Sequence, residues 1–153
     1  MSTTHQSERL SISRDAPALY RAHVALDRAV RESALDRGIL ELVKVRASQI
    51  NGCAYCIDMH TRDAIAAGET ERRLFALSAW RESPLFTDRE RAALALTDAM
   101  TRIADAGVPD ETYAEAAGAF EREELGALLY AIAVINSWNR LAVASGAIFE
   151  PPT

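Results

Sequence analysis

Residues 122–147 contain the run GALLYAIAVI at 126–135 and are apolar on most faces of a helix. A helix that is apolar nearly all round needs neighbours packed around it, so this segment predicts a helical protein with residues 122–147 at its centre. The run is shorter than the about 20 residues needed to cross a bilayer, which favours a buried core helix over a span.

The rest of the chain has the same period. Ala18, Leu19, Ala22, Leu26 and Val30 recur at helical spacing within 15–34. Asp36 can cap a helix reaching about Ile50, and Asn51-Gly52 breaks it because both residues tolerate left-handed backbone. A further helix runs from near Cys53 to Gly68, and another from Thr70 to about Trp80. Thr87-Asp88-Arg89-Glu90 matches a capping box for a helix reaching about Ala106, followed by a short helix over 110–119. No alternating strand pattern, repeat or linker interrupts this series. The expectation is an all-α, multi-helix bundle. It forms a single domain over 1–153 with its core at about 15–150, and arms at 1–14 and 150–153 lie loose or against a partner subunit. Tyr113, Phe120 and Tyr130 are expected in the core.

Charge removes some functions. The net charge of −5 argues against a general nucleic-acid binder, which needs a basic face, and gives no reason to expect an anionic membrane. The first residues, MSTTHQSERLSISRDAP, lack the apolar stretch of a secretory signal. A cytosolic, reducing setting is therefore expected, in which a lone CxxC points to redox or metal chemistry rather than a structural disulfide.

That CxxC lies in NGCAYCIDMH, residues 51–60, which holds the chain's two cysteines and one of its three histidines. At i and i+3 of a helix, Cys53 and Cys56 face the same way, close enough to open and close a disulfide with little backbone movement. The first helical turn also favours a thiolate, because its free N–H groups carry partial positive charge. His60 is one turn beyond Cys56 and can accept its proton. This geometry makes Cys56 the first nucleophile and Cys53 the resolving thiol. The reverse order stays open, since the N-terminal cysteine of many CxxC pairs is the more exposed one. Two small core residues, or a zinc site from Cys53, Cys56, His60 and a carboxylate, are the other readings. Ligands crowded onto two turns, with no second CxxC, argue against metal.

Glu41 lies in GILELVKV, residues 38–45, surrounded by apolar neighbours. A buried carboxylate ionises reluctantly, which moves it toward the range of a general base. The reversal at Asn51-Gly52 can return Glu41 alongside the Cys53–His60 segment; an ion pair with Lys44, the chain's sole lysine, is the simpler alternative.

Glu41, Cys53, Cys56 and His60 together spell E-x11-C-x2-C-x3-H. This pattern, within VRASQINGCAYCIDMHTRDA and followed by AGETERRLFALSAW and INSWNR, resembles the alkylhydroperoxidase D (AhpD)-like proteins of the carboxymuconolactone decarboxylase superfamily over about residues 15–150. The resemblance implies an AhpD-like orthogonal helical bundle that assembles as a dimer, trimer or hexamer. It implies a peroxiredoxin-type peroxidase that reduces alkyl hydroperoxides without metal or organic cofactor, reset by a lipoylated or thioredoxin-like dithiol protein. Glu41 would act through a water on His60, His60 would deprotonate Cys56, and Cys53 would resolve. Tyr55 stands where the archetype has a histidine; it can donate a hydrogen bond but cannot relay protons at neutral pH. Trp138 and Asn139 are candidate site-lining residues; for Trp138 a place in the core, the simpler reading, or at a subunit contact is the alternative. A redox sensor or thiol chaperone, and a lyase on the same scaffold, are the alternatives. The cysteine pair argues against the decarboxylase branch.

Overall fold

The computed structural model describes residues 9–147. Its order is α1 (Ile12–Asp15), α2 (Pro17–Arg31), α3 (Arg37–Asn51), α4 (Ala54–Ala66), α5 (Glu71–Ala76) with a 3-10 turn at Leu77–Ala79, α6 (Asp88–Thr101), α7 (Ile103–Ala106), α8 (Asp110–Ala119) and α9 (Arg122–Ser145). No strand occurs among the described residues.

The boundaries follow local chemistry. Asp36 accepts from the Ile39 N–H at 3.0 Å and opens α3, while Thr70 opens α5 in the same way. Thr87 and Glu90 form a reciprocal capping box at α6. Gly52 and Gly146, at φ +66° and +68°, end α3 and α9 in left-handed backbone. The helix expected to reach Ala106 stops at Thr101. Arg102 leaves helical conformation and one further turn, α7, follows.

The central helix is α3, not the 122–147 segment. Every residue from Ile39 to Ser48 is buried, and α3 packs against α4, α6 and α9. Two apolar clusters meet it on different sides: Leu40 and Val43 join α6, α8 and α9, whereas Leu42 and Val45 join Leu74, Leu77, Trp80 and Leu94. By length and composition α9 could cross a membrane, yet its inner face, through Leu128, Ile132 and Ile135, is committed to the core. Its outer face leaves Tyr130 and Val143 exposed, so the apolar surround expected of it is incomplete within one chain. Phe120 is buried as expected, but Tyr113 and Tyr130 are exposed.

Helix α2 is turned differently from its apolar pattern. Of the stripe Ala18, Leu19, Ala22, Leu26 and Val30, only Val30 is buried, and Leu19 is 75% exposed. The face turned inward carries Tyr20, His23 and Asp27. Residues 9–14 are not free arms: Ile12–Asp15 form a turn of helix, and Arg9 donates to the Val143 and Ala144 carbonyls at the end of α9. The other expected arm residues, 1–8 and 150–153, lie outside the described residues.

Candidate active site

The site is built where α3 reverses into α4. The Cys53 N–H donates to the Ser48 carbonyl at 3.0 Å, closing the left-handed turn at Gly52. Cys53 is the N-cap of α4, and the Cys56 N–H points at its sulfur at 3.3 Å. The two cysteines are joined as a disulfide with Cα atoms 5.3 Å apart, and both are buried. The helix therefore begins one residue after Cys53, and its N-terminal field falls on Cys53 as much as on Cys56.

A polar seam fixes this turn. Asn51 donates to Asn136 and Asn139 at 2.9 Å each, and Asn139 donates to Ser48 at 3.0 Å. Asn139 is thus a fully buried tie between α9 and the turn, and it is not among the residues lining the site cavity.

Because α3 and α4 run back alongside each other, Glu41 and His60 meet inside the protein. His60 Nδ1 is 4.0 Å from Glu41 Oε2 and 3.6 Å from Asp63 Oδ2. The Glu41 and His60 atoms are both buried and neither has a hydrogen-bond partner. Burial pushes the Glu41 carboxyl above its ordinary value, against the opposing charge of Lys44. Burial, reinforced by Lys44, pushes His60 down to about 4. His60 is therefore neutral at pH 7, and its contact with Glu41 is not an ion pair. Lys44 does not neutralise Glu41 directly; its nearest carboxylate is Asp27 of α2, at 3.8 Å.

These groups open onto a cavity of about 760 Å³. Cys56, His60, Glu41, Lys44, Tyr55 and Trp138 line it, together with Tyr20, Val24, Met59 and Leu141; Cys53 does not. Trp138 stacks on His23 at 3.7 Å between ring centroids and meets Tyr20 edge-on. His23 Nε2 is 2.6 Å from Ser137 Oγ, and burial lowers its pKa against the charge of Asp27. Sequence reading passed over His23, since its partners lie 114 residues away or more and leave no local signal. It also passed over Asp63 and Lys44 as site residues, although each follows a site residue by one helical turn, His60 and Glu41 respectively.

Glu41, His60 and Asp63 place their ligand atoms within 4.8 Å of one another and could together meet a cation. The neighbouring Lys44 ammonium opposes that, and the disulfide withholds both thiolates.

A family model described as the carboxymuconolactone decarboxylase family matches residues 17–99, the stretch that contains Glu41, both cysteines and His60. The chain belongs to that family. It is 41% identical over 140 residues to the uncharacterized protein YdfG of Bacillus subtilis, covering 92% of this chain and 95% of the relative. A crystal structure of a protein of unknown function from Agrobacterium tumefaciens, proposed as an antioxidant defence protein AhpD, is 38% identical with a TM-score of 0.92, over 95% of this chain and all of the other. The chain is accordingly an AhpD-like member of the superfamily. The debrominase Bmp8 shares the fold at 22% identity and a TM-score of 0.79, over 88% of this chain and 73% of its own. The scaffold thus carries more than one activity.

Proposed function

We propose that this protein is a cytoplasmic thiol peroxidase that reduces organic hydroperoxides through Cys53 and Cys56. The observation that carries this reading is the placement of Cys56. Of the two cysteines it is the one that lines the cavity, one helical turn before a buried, neutral His60. An AhpD-type role proposed for the 38% identical relative points the same way.

In the reduced protein, neutral His60 takes the proton of Cys56, and Glu41 holds the Nδ1 side of the ring through a bridging water. The Cys56 thiolate attacks the outer peroxide oxygen. The O–O bond breaks, sulfur is oxidised to the sulfenic acid, and the alkoxide leaves as alcohol with the proton returned by His60. Tyr55 lines the cavity and in this scheme donates a hydrogen bond to the peroxide. The Cys53 thiol then attacks the sulfenic sulfur, releasing water and closing the disulfide. An external dithiol, on a lipoylated or thioredoxin-like protein, reopens it by two exchanges and leaves as its own disulfide. No metal or organic cofactor enters these steps.

Assembly into a homo-oligomer is part of this proposal. Leu19, Leu26 and Tyr130 are exposed and line an apolar groove of about 1040 Å³ between α2 and α9. An exposed apolar surface of this kind suits a subunit contact.

The test is a thiol count on reduced protein after one equivalent of cumene hydroperoxide. Both thiols should disappear within seconds to minutes and return with dihydrolipoamide, and Cys56→Ser should abolish the loss. Thiols that persist for hours contradict the proposal.

A further inference from the structure

The cavity is larger and more positively charged than a generic hydroperoxide requires. Its volume of about 760 Å³ is that of a site for a medium-sized organic molecule, and Tyr20, Val24, Met59, Trp138 and Leu141 give it apolar walls. The whole chain carries five more acidic than basic residues, yet five of its basic residues line this cavity against three acidic ones, Asp27, Glu41 and Asp63.

Two of those cations have no hydrogen-bonded carboxylate among the described residues. Lys44 is a buried ammonium with 5% side-chain exposure, and its nearest carboxylate, Asp27, stands at 3.8 Å, beyond hydrogen-bond reach. Asp27 is already taken at 3.1 Å by Arg31. Arg37 forms no ion pair or side-chain hydrogen bond among the described residues, and it lies seven residues before Lys44 on the same face of α3. A buried lysine without a full partner is costly to fold around, which makes it a candidate for a bound anion.

We propose that this cavity selects organic molecules that carry a carboxylate, with Lys44 and Arg37 of α3 as the groups that bind it and the apolar walls as the seat of the carbon chain. Resting on the peroxidase reading, the preferred substrate is then a hydroperoxide of a fatty or other apolar carboxylic acid. Its acid group is held by α3 while its O–O bond reaches Cys56.

Two measurements separate this inference from the peroxidase reading. The first needs no turnover: calorimetric binding of decanoate and of methyl decanoate to the disulfide form of the full chain. Decanoate should bind, methyl decanoate should bind roughly tenfold to a hundredfold more weakly, and Arg37→Gln and Lys44→Met should each reduce that ratio. Arg37 is exposed, so its variant tests the claim even if Lys44→Met fails to fold. The second is the ratio of kcat/KM for linoleic acid hydroperoxide to that for its methyl ester, which should exceed about ten and fall in the variants. Equal binding of acid and ester, or a ratio that neither variant changes, overturns the inference. If decanoate binds selectively but cumene hydroperoxide leaves the thiols intact, the carboxylate site stands and the peroxidase reading falls.

Discussion

His60 Nδ1 lies 4.0 Å from Glu41 Oε2, and both atoms are buried without a hydrogen bond. Two polar atoms left in this state weaken the core. A protein tolerates such a pair where it has a chemical use. His60→Asn should slow hydroperoxide-driven loss of the Cys56 thiol by about 10²–10⁴-fold, the usual worth of a positioned base. Glu41→Gln should slow it by roughly tenfold while leaving the urea midpoint unchanged or higher. A Glu41→Gln variant with full activity and lower stability would instead make Glu41 a structural residue.

The same burial gives stability a pH dependence. His60 has its pKa pushed down to about 4, from an unfolded value near 6.5. In that interval the unfolded chain binds the proton and the folded one does not, so this contribution is complete above pH 6.5 and is lost as pH falls toward 4. The loss is on the order of 3 kcal/mol from the shift in His60. Glu41, raised by burial, acts in the opposite sense, losing its contribution as pH rises through its folded value. Urea titrations between pH 4 and 7 should therefore show a steeper acid decline in the wild type than in His60→Gln.

Asn139 serves the site from a distance. It accepts from Asn51 and donates to Ser48, holding the turn that delivers Cys53. Asn139→Leu would remove one of the two acceptors of Asn51 and the buried donor to Ser48 Oγ, and should lower stability by about 1–3 kcal/mol. It should also slow disulfide closure, read as the rate of the second thiol's loss after the first, because Cys53 is no longer fixed.

Much of this was legible in the sequence because the signals were local. The caps at Asp36, Thr70 and Thr87 and the reversal at Asn51-Gly52 each depend on a few adjacent residues. Glu41 and His60 came together as expected because that reversal folds α3 back on α4. What could not be read were facing choices. Leu19 and Leu26 look like core by periodicity but point outward, while His23 and Asp27 point in. Helical spacing gives a stripe, not the side on which a neighbour packs. Asn139, a candidate beside Trp138 on α9, does not line the cavity that Trp138 does, since successive residues of a helix face different ways.

The exposed stripe has its own consequence. Leu19→Glu together with Leu26→Glu should shift the protein to a smaller species in light scattering without lowering the helix content of the subunit, because neither residue is buried within one chain. An unchanged mass would place the subunit contact elsewhere.

The central claim is that Cys56 attacks and Cys53 resolves, and it is tested most directly by mass spectrometry of the single-cysteine variants. Cys53→Ser treated with one equivalent of cumene hydroperoxide in the presence of dimedone should carry one dimedone adduct, on Cys56. Cys56→Ser under the same conditions should carry none. An adduct on Cys53 alone, or no adduct on either variant, would contradict the account.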